Sequence, residues 1–387
     1  MYKRLIPLGK TPKRSFFIWG PRQVGKSTLL KHLYPDALVI DLLKSDEYFR
    51  FQQSPNLFRE IVGNQPPKTL TVVDEVQKVP ALLDEVHWLI ENRNQIFALS
   101  GSSARKLKRG HANLLGGRAV RHILLGLTTQ ELGKDFNLER LLNQGNLPNH
   151  FLCDEKEWLL LIRSYVADYL KEEIAAEAAV KNLPAFSSFL SVAALSDTEP
   201  VNFSRFGSDV GVSGHTIKEY FEILVETYQG AWLPAYVKRA KRRTRQAPKF
   251  YFDNVGVVNY LAKRGKIVEG SELFGKAFES FIFHELRCYV EYQNPELELS
   301  YWALTTQNEV DFILGAMEVA IEVKASSEIR PGHLKGLREL KVEYPKVKSR
   351  ILVCNETYQR KTEDGILIMP YKIFLEKLWQ GEITAKK

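Results

Sequence analysis

The stretch Gly20-Pro21-Arg22-Gln23-Val24-Gly25-Lys26-Ser27-Thr28 constrains the fold more than any other part of the chain. It fits G-x-x-x-x-G-K-[ST] without departure, and such a loop works only between a buried strand and a helix. Both neighbours are written in the sequence. Ser15-Phe16-Phe17-Ile18-Trp19 reads as a buried strand, and Thr28-Leu29-Leu30-Lys31-His32-Leu33 places apolar residues at helical spacing. Gly20 and Gly25 let successive N–H groups turn toward one point, and the helix N-terminus adds partial positive charge there. That point suits a polyphosphate. Gly20 to Thr28 are expected to cradle ATP, with Lys26 at the β- and γ-phosphates and the Ser27 hydroxyl on Mg²⁺.

Four more apolar runs follow, at residues 37–41, 70–74, 96–100 and 120–125, separated by helical or polar stretches. Near-continuous apolar strands alternating with helices predict a parallel sheet covered on both faces, an α/β fold. Asp74-Glu75 ends the second run. Ligands of such sheets lie beyond the C-terminal strand ends, so Asp74 is expected beside the Mg²⁺, through a water, and Glu75 at the attacking water as its base. Ser102, in Ser100-Gly101-Ser102-Ser103, is placed to sense the γ-phosphate, or belongs to a plain Ser/Gly turn. Arg118 stands on a glycine-framed loop. It reads as an arginine finger for its own or a neighbouring subunit, or as an ordinary surface arginine.

With 387 residues, the chain exceeds a single core. The reading divides it into a nucleotide core (1–135), a helical lid (136–195), a winged helix (196–268) and a C-terminal domain (269–387). No run approaches the roughly 18 apolar residues of a membrane span, and the N-terminus lacks the apolar core of a signal peptide. Cys153, Cys288 and Cys354 are few and far apart. They exclude a disulfide framework and fit a reducing cytoplasm. The net charge of +8 favours anionic partners.

Residues 154–181 predict a long helix with Leu159, Ile162, Tyr165, Val166, Tyr169 and Ile174 as its apolar stripe. Further on, a glycine turn, Ser213 as N-cap and a helix from Gly214 suggest helix-turn-helix. Strand-like stretches at 231–237 and 249–252 would complete a winged helix. Between them Lys238, Arg239, Lys241, Arg242, Arg243, Arg245 and Lys249 run without an acid, as a wing that could contact DNA phosphates.

In the last domain, residues 275–286 read as a helix bearing Glu279, followed by a hairpin. If residues 315–318 form its loop, Leu314 pairs with Val319 and Asp311 faces Glu322. Alternation then puts Glu309, Asp311, Glu322 and Lys324 on one face, with Val310, Phe312, Leu314, Val319, Ile321 and Val323 on the other. Directly opposed carboxylates are close enough to share one cation, and Lys324 could position a water. A wet, charged hairpin face is the plainer reading.

The segments 17–27, Asp74-Glu75-Val76-Gln77-Lys78-Val79-Pro80, 100–103 and 117–119 together resemble the prokaryotic AAA-type ATPases with a C-terminal domain of unknown function. That resemblance implies ATP binding and slow hydrolysis. Asp followed by Glu-x-Lys after a Glu-bearing helix resembles the PD-(D/E)xK nuclease superfamily, a restriction-endonuclease-like α/β fold. It implies Asp311 and Glu322 as metal ligands, Lys324 as catalytic lysine and Glu279 as a supporting acid, although Val310 replaces the usual proline. The functional expectation is an ATPase whose nucleotide state controls a DNA-interacting, nuclease-like half. The alternative is a switch that docks a protein partner, or further copies of itself, through a catalytically silent domain.

Overall fold

The computed structural model describes residues 2–103, 105, 115–177, 179–237, 246–305 and 308–384. Strands β1 (Ser15–Trp19), β2 (Leu38–Asp41), β3 (Leu70–Asp74), β4 (Ile96–Gly101) and β5 (Ala119–Ile123) form one parallel sheet in the order β2-β3-β4-β1-β5. All of β1 is buried, because helices cover both faces and leave no side for polar residues. β4 lies between β3 and β1, so the loop after β1 and the acids ending β3 open on the same edge, one strand apart.

Helices dominate the middle of the chain. Asp154 caps the Glu155–Ser164 helix by accepting a hydrogen bond from the Glu157 N–H (2.9 Å). A π-helical segment, Tyr165–Glu173, and a short helix, Ile174–Glu177, continue it. The wider turn shifts the buried face. Ile162, Tyr165, Val166, Tyr169 and Ile174 are buried as expected, but Leu159 faces solvent and Trp158 takes the inner position. The Phe203–Val210 and Gly214–Glu226 helices meet at Gly211 (φ 78), and Ser213 caps the second by accepting from the Thr216 N–H. β6 (Gly230–Leu233) and β7 (Lys249–Phe252) then pair antiparallel.

The expected basic wing needs a correction. Lys238, Arg239, Lys241, Arg242, Arg243 and Arg245 lie outside the described residues. Lys249 belongs to β7, and its side chain is only 2% exposed. It cannot meet a phosphate backbone. The hairpin is instead stitched to the next domain: the Tyr236 N–H donates to the Tyr301 carbonyl (2.6 Å) and the Tyr301 N–H to the Pro234 carbonyl (3.0 Å).

The C-terminal region builds a mixed sheet from β8 (Leu299–Thr305), β9 (Asn308–Leu314), β10 (Val319–Lys324), β11 (Ser349–Cys354), β12 (Arg360–Lys361) and β13 (Leu367–Pro370), ordered β12-β13-β11-β10-β9-β8. The Glu272–Gln293 helix covers one face and the Lys335–Glu343 helix the other. Leu314 pairs with Val319 as the hairpin reading requires. The single acidic face does not survive. Register shifts between β8 and β9 move Val310 into the core beneath the Lys335–Glu343 helix, with Ile313 and Ala320, away from Phe312. Glu309 consequently turns toward the Glu272–Gln293 helix, whereas Glu322 shares the face of Ala320. Among the described residues, no helix is long and apolar enough to cross a membrane.

Candidate active site and the C-terminal acid cluster

The loop after β1 alternates its backbone hand: Gly20 (φ 150), Gln23 (φ 63) and Gly25 (φ 96) are all positive. At Gly20 only glycine fits, since a Cβ would stand 2.1 Å from the Leu124 carbonyl oxygen. Gly25 precedes the Lys26–Leu33 helix in the left-handed conformation, which aims the first N–H groups into the loop. A cavity of about 580 Å³ opens there, lined by Arg22 to Leu29 and Glu75 and rimmed by Tyr2, Leu43, Leu127, Pro148, Asn149 and Leu152.

Lys26 is buried, and its ammonium donates to the carbonyls of Gly20 (2.8 Å) and Pro21 (2.9 Å). Burial pushes its pKa down to about 8, against the pull of Glu75 and Asp74. Asp74 ends β3 and accepts a hydrogen bond from the Ser100 hydroxyl. Glu75 sits in the left-handed region (φ 58). Its carboxylate accepts from the Gln77 amide and from the Ser102 hydroxyl (3.3 Å), and the same amide donates to Ser102 (3.1 Å). Lys26, Ser27, Asp74, Glu75 and Ser102 therefore gather at one sheet edge, as read from the sequence. Ser102 there serves Glu75 and Gln77.

Arg118 is the exception. It precedes β5, where Ala119 pairs with Ser15, the first residue of β1. Roughly 15 Å of strand separates it from the phosphate loop. Its guanidinium instead bonds Glu91 at the end of the Leu82–Arg93 helix. It stands too far away to serve its own site, which leaves the ordinary surface arginine and the neighbouring-subunit readings.

Two residues went unread. Gln77 is visible in the sequence only as part of a motif, although an amide two residues past the expected base is a usable signal. Arg4 donates to the Val24 carbonyl (2.9 Å) inside the phosphate loop and pairs with Glu131 (3.0 Å). Nothing local in Met1-Tyr2-Lys3-Arg4 announces that role.

The donor set fits a magnesium nucleotide. The cradle admits no Cβ at Gly20, the buried Lys26 ammonium feels two acids, and a hydroxyl (Ser27) and a carboxylate (Asp74) would hold the ion.

The C-terminal acids tell a different story. Glu279 accepts from the Tyr251 hydroxyl (2.6 Å) and lies 3.6 Å from the Lys249 ammonium, which also meets Glu309 at 3.3 Å. Asp311 accepts from the Val323 N–H (2.8 Å), and Glu322 pairs with Lys324 at 2.6 Å. Burial pushes Glu279 up to about 7 despite Lys249. Glu322 is raised well above the usual range by burial and then by Asp311. Among the described residues no three His, Cys, Asp or Glu side chains are arranged to hold a metal. The expected ligands Asp311 and Glu322, with Glu279 and Lys324, thus lie within one electrostatic neighbourhood. Lys249 and Lys324 pair with acids of this group, while the second Glu322 oxygen, Oε2, is buried and accepts no hydrogen bond from the described residues.

Residues 12–133 match a family model described as an AAA domain. The nucleotide region is an AAA-type P-loop domain, in agreement with its motif. Residues 135–267 and 274–374 match two models described only as domains of unknown function, DUF8612 and DUF4143. An uncharacterised protein of Haemophilus influenzae is 24% identical, covering 91% of this chain and 92% of its own length. Among solved structures, the Walker-type ATPase Paby2304 of Pyrococcus abyssi is 14% identical, with a TM-score of 0.42 over 64% of this chain and 90% of that one. The Orc1 protein of Aeropyrum pernix, solved in complex with DNA, is 15% identical, with a TM-score of 0.26 over 65% and 87%.

Proposed function

We propose that this chain is an ATPase whose nucleotide state switches the placement of its helical and C-terminal regions for a protein partner. The convergence of Lys26, Asp74 and a doubly held Glu75 on one buried cradle carries the reading. Gly20 to Thr28 bind the triphosphate. Ser27 and Asp74 would hold Mg²⁺, which would supply charge neutralisation at the triphosphate. Glu75, oriented by Gln77 and Ser102, takes the proton of the attacking water as its oxygen bonds the γ-phosphorus, and ADP leaves.

Switching is supported by contacts that tie the cradle to the rest of the chain. The Arg22 guanidinium lies 5.3 Å over the Tyr169 ring, on the π-helical segment. The Leu125 N–H, just after β5, donates to the Tyr292 hydroxyl (2.9 Å), and the Thr129 N–H donates to Glu285 (2.7 Å), both on the Glu272–Gln293 helix. Lid, winged helix and C-terminal domain, divided at 136, 196 and 269, are the working parts of this switch. Partner docking is preferred over DNA cleavage because Lys249 and Tyr251 already engage Glu279, and the Val323 N–H already engages Asp311.

The test pairs turnover with binding. Lys26→Ala should lose ATP binding, and Glu75→Gln should keep binding while turnover falls by about 10²–10⁴-fold. Undiminished hydrolysis by Lys26→Ala would remove the site. DNA cleavage in Mg²⁺ or Mn²⁺ that Lys324→Ala abolishes would reinstate the nuclease reading.

A further inference from the structure

We infer that Lys249 stands in the place of a divalent cation at the C-terminal acid cluster, so that the β6–β7 hairpin and the C-terminal sheet form one metal-independent unit. The inference concerns this cluster alone and stands whether or not the chain hydrolyses ATP.

The acids come from three elements. Glu279 is on the Glu272–Gln293 helix, Glu309 and Asp311 are on β9, and Glu322 is on β10. Asp311 and Glu322 are buried and Glu279 is largely so, and carboxylates taken out of water need compensating charge. A nuclease-like centre would meet that need with a metal ion. Here a lysine from a different part of the chain meets it. The Lys249 ammonium lies 3.6 Å from Glu279 and 3.3 Å from Glu309, and 5.4 Å over the Tyr301 ring. Burial alone would lower its pKa, but Glu279, Asp311 and Glu309 outweigh that and raise it, so it stays charged. Lys324 does the same for Glu322, and Tyr251, also from β7, donates its hydroxyl to Glu279.

Backbone pairing holds the lysine in place. Tyr301 of β8 is bonded on both sides of the hairpin loop, to Pro234 and Tyr236 through its backbone and to the Ala247 carbonyl through its hydroxyl (2.6 Å). The hairpin covers the edge that β8 would otherwise leave open. Lys249 is therefore held by its own strand pairing with Leu233 and by the Tyr301 contacts at residues 234, 236 and 247. A swinging surface side chain would not be.

The groups around Lys249 that fix the pH dependence are Glu279, Glu309, Asp311 and Tyr301, with Tyr251 on Glu279; Glu322 and Lys324 pair beyond Asp311. Without the ammonium, which holds the Glu279 carboxyl down, the carboxylates are left uncompensated when ionised, and the loss shrinks as falling pH protonates them. The experiment uses the full, nucleotide-free chain, with thermal midpoints of parent and Lys249→Met measured from pH 6 to pH 8, with and without Mn²⁺. The variant should melt below the parent by a margin that widens toward pH 8, and Mn²⁺ should raise the variant's midpoint while leaving the parent's unchanged. Equal Mn²⁺ responses, or a margin independent of pH, overturn the inference. Should Lys249→Met not fold, calorimetry of Mn²⁺ with the parent decides. Silence supports the inference, and binding that Asp311→Asn abolishes overturns it.

Discussion

Replacing Lys26 by methionine is expected to stabilise the nucleotide-free protein at neutral pH while destroying its function. The buried ammonium has its pKa pushed down from 10.5 to about 8 by desolvation. A displacement of that size corresponds to ~3 kcal/mol of destabilisation while the lysine stays charged. Its hydrogen bonds to the Gly20 and Pro21 carbonyls, 2.8 and 2.9 Å, return ~1 kcal/mol each. Methionine removes both effects, for a net gain of ~1 kcal/mol, roughly 2–4 °C in the midpoint. The sign in pH follows from proton counts. Between about 8 and 10.5 the unfolded chain keeps a proton that the folded chain has released, so the parent gains stability as pH rises and the advantage of methionine disappears. Below pH 8 the difference stays constant. Thermal melts of both proteins at pH 7 and pH 10, without nucleotide, measure this directly. Adding MgATP at pH 7 should reverse the order, because only the parent gains binding energy. A methionine variant that melts below its parent at pH 7, or a gap of the same size at both pH values, refutes the reasoning.

Two further outcomes follow from the same edge of the sheet. Gln77→Leu removes one charge-assisted hydrogen bond from Glu75 and touches no loop residue; kcat should fall by about 10–100-fold with KM nearly constant, and an unchanged kcat in a phosphate-release assay would show that Glu75 needs no such support. Arg118→Ala should leave MgATP affinity unaltered in dilute protein, since the arginine stands at the opposite end of β1; weakened binding there would place it back in its own site.

Much of this was legible in the sequence, for identifiable reasons. The phosphate loop announces itself because its chemistry needs glycine at fixed positions. The strands of the first sheet are legible because burial on both faces leaves unbroken apolar runs. Gly315 and Met317, both at positive φ, close the hairpin that the 314/319 pairing anticipated. What stayed hidden depended on partners distant along the chain. Lys249 sits at the end of a basic run and reads as solvated; only its position opposite Glu279 and Glu309 reveals a buried ion pair. Arg118 lies on a loop of plausible composition, yet a parallel sheet has two ends, and strand register alone tells which one it occupies. Leu159 was read inward because a regular helix was assumed through Tyr165, where the π-helical turn changes the phase. The Asp311 face was drawn from perfect alternation, which the shifted register between β8 and β9 breaks.

Titration calorimetry of MgATP into the purified chain tests the central claim most directly. Saturable heat at one nucleotide per chain, absent in Lys26→Ala, is the expected result. No heat from the parent, or equal heat from both proteins, would contradict a triphosphate site in the loop from Gly20 to Thr28.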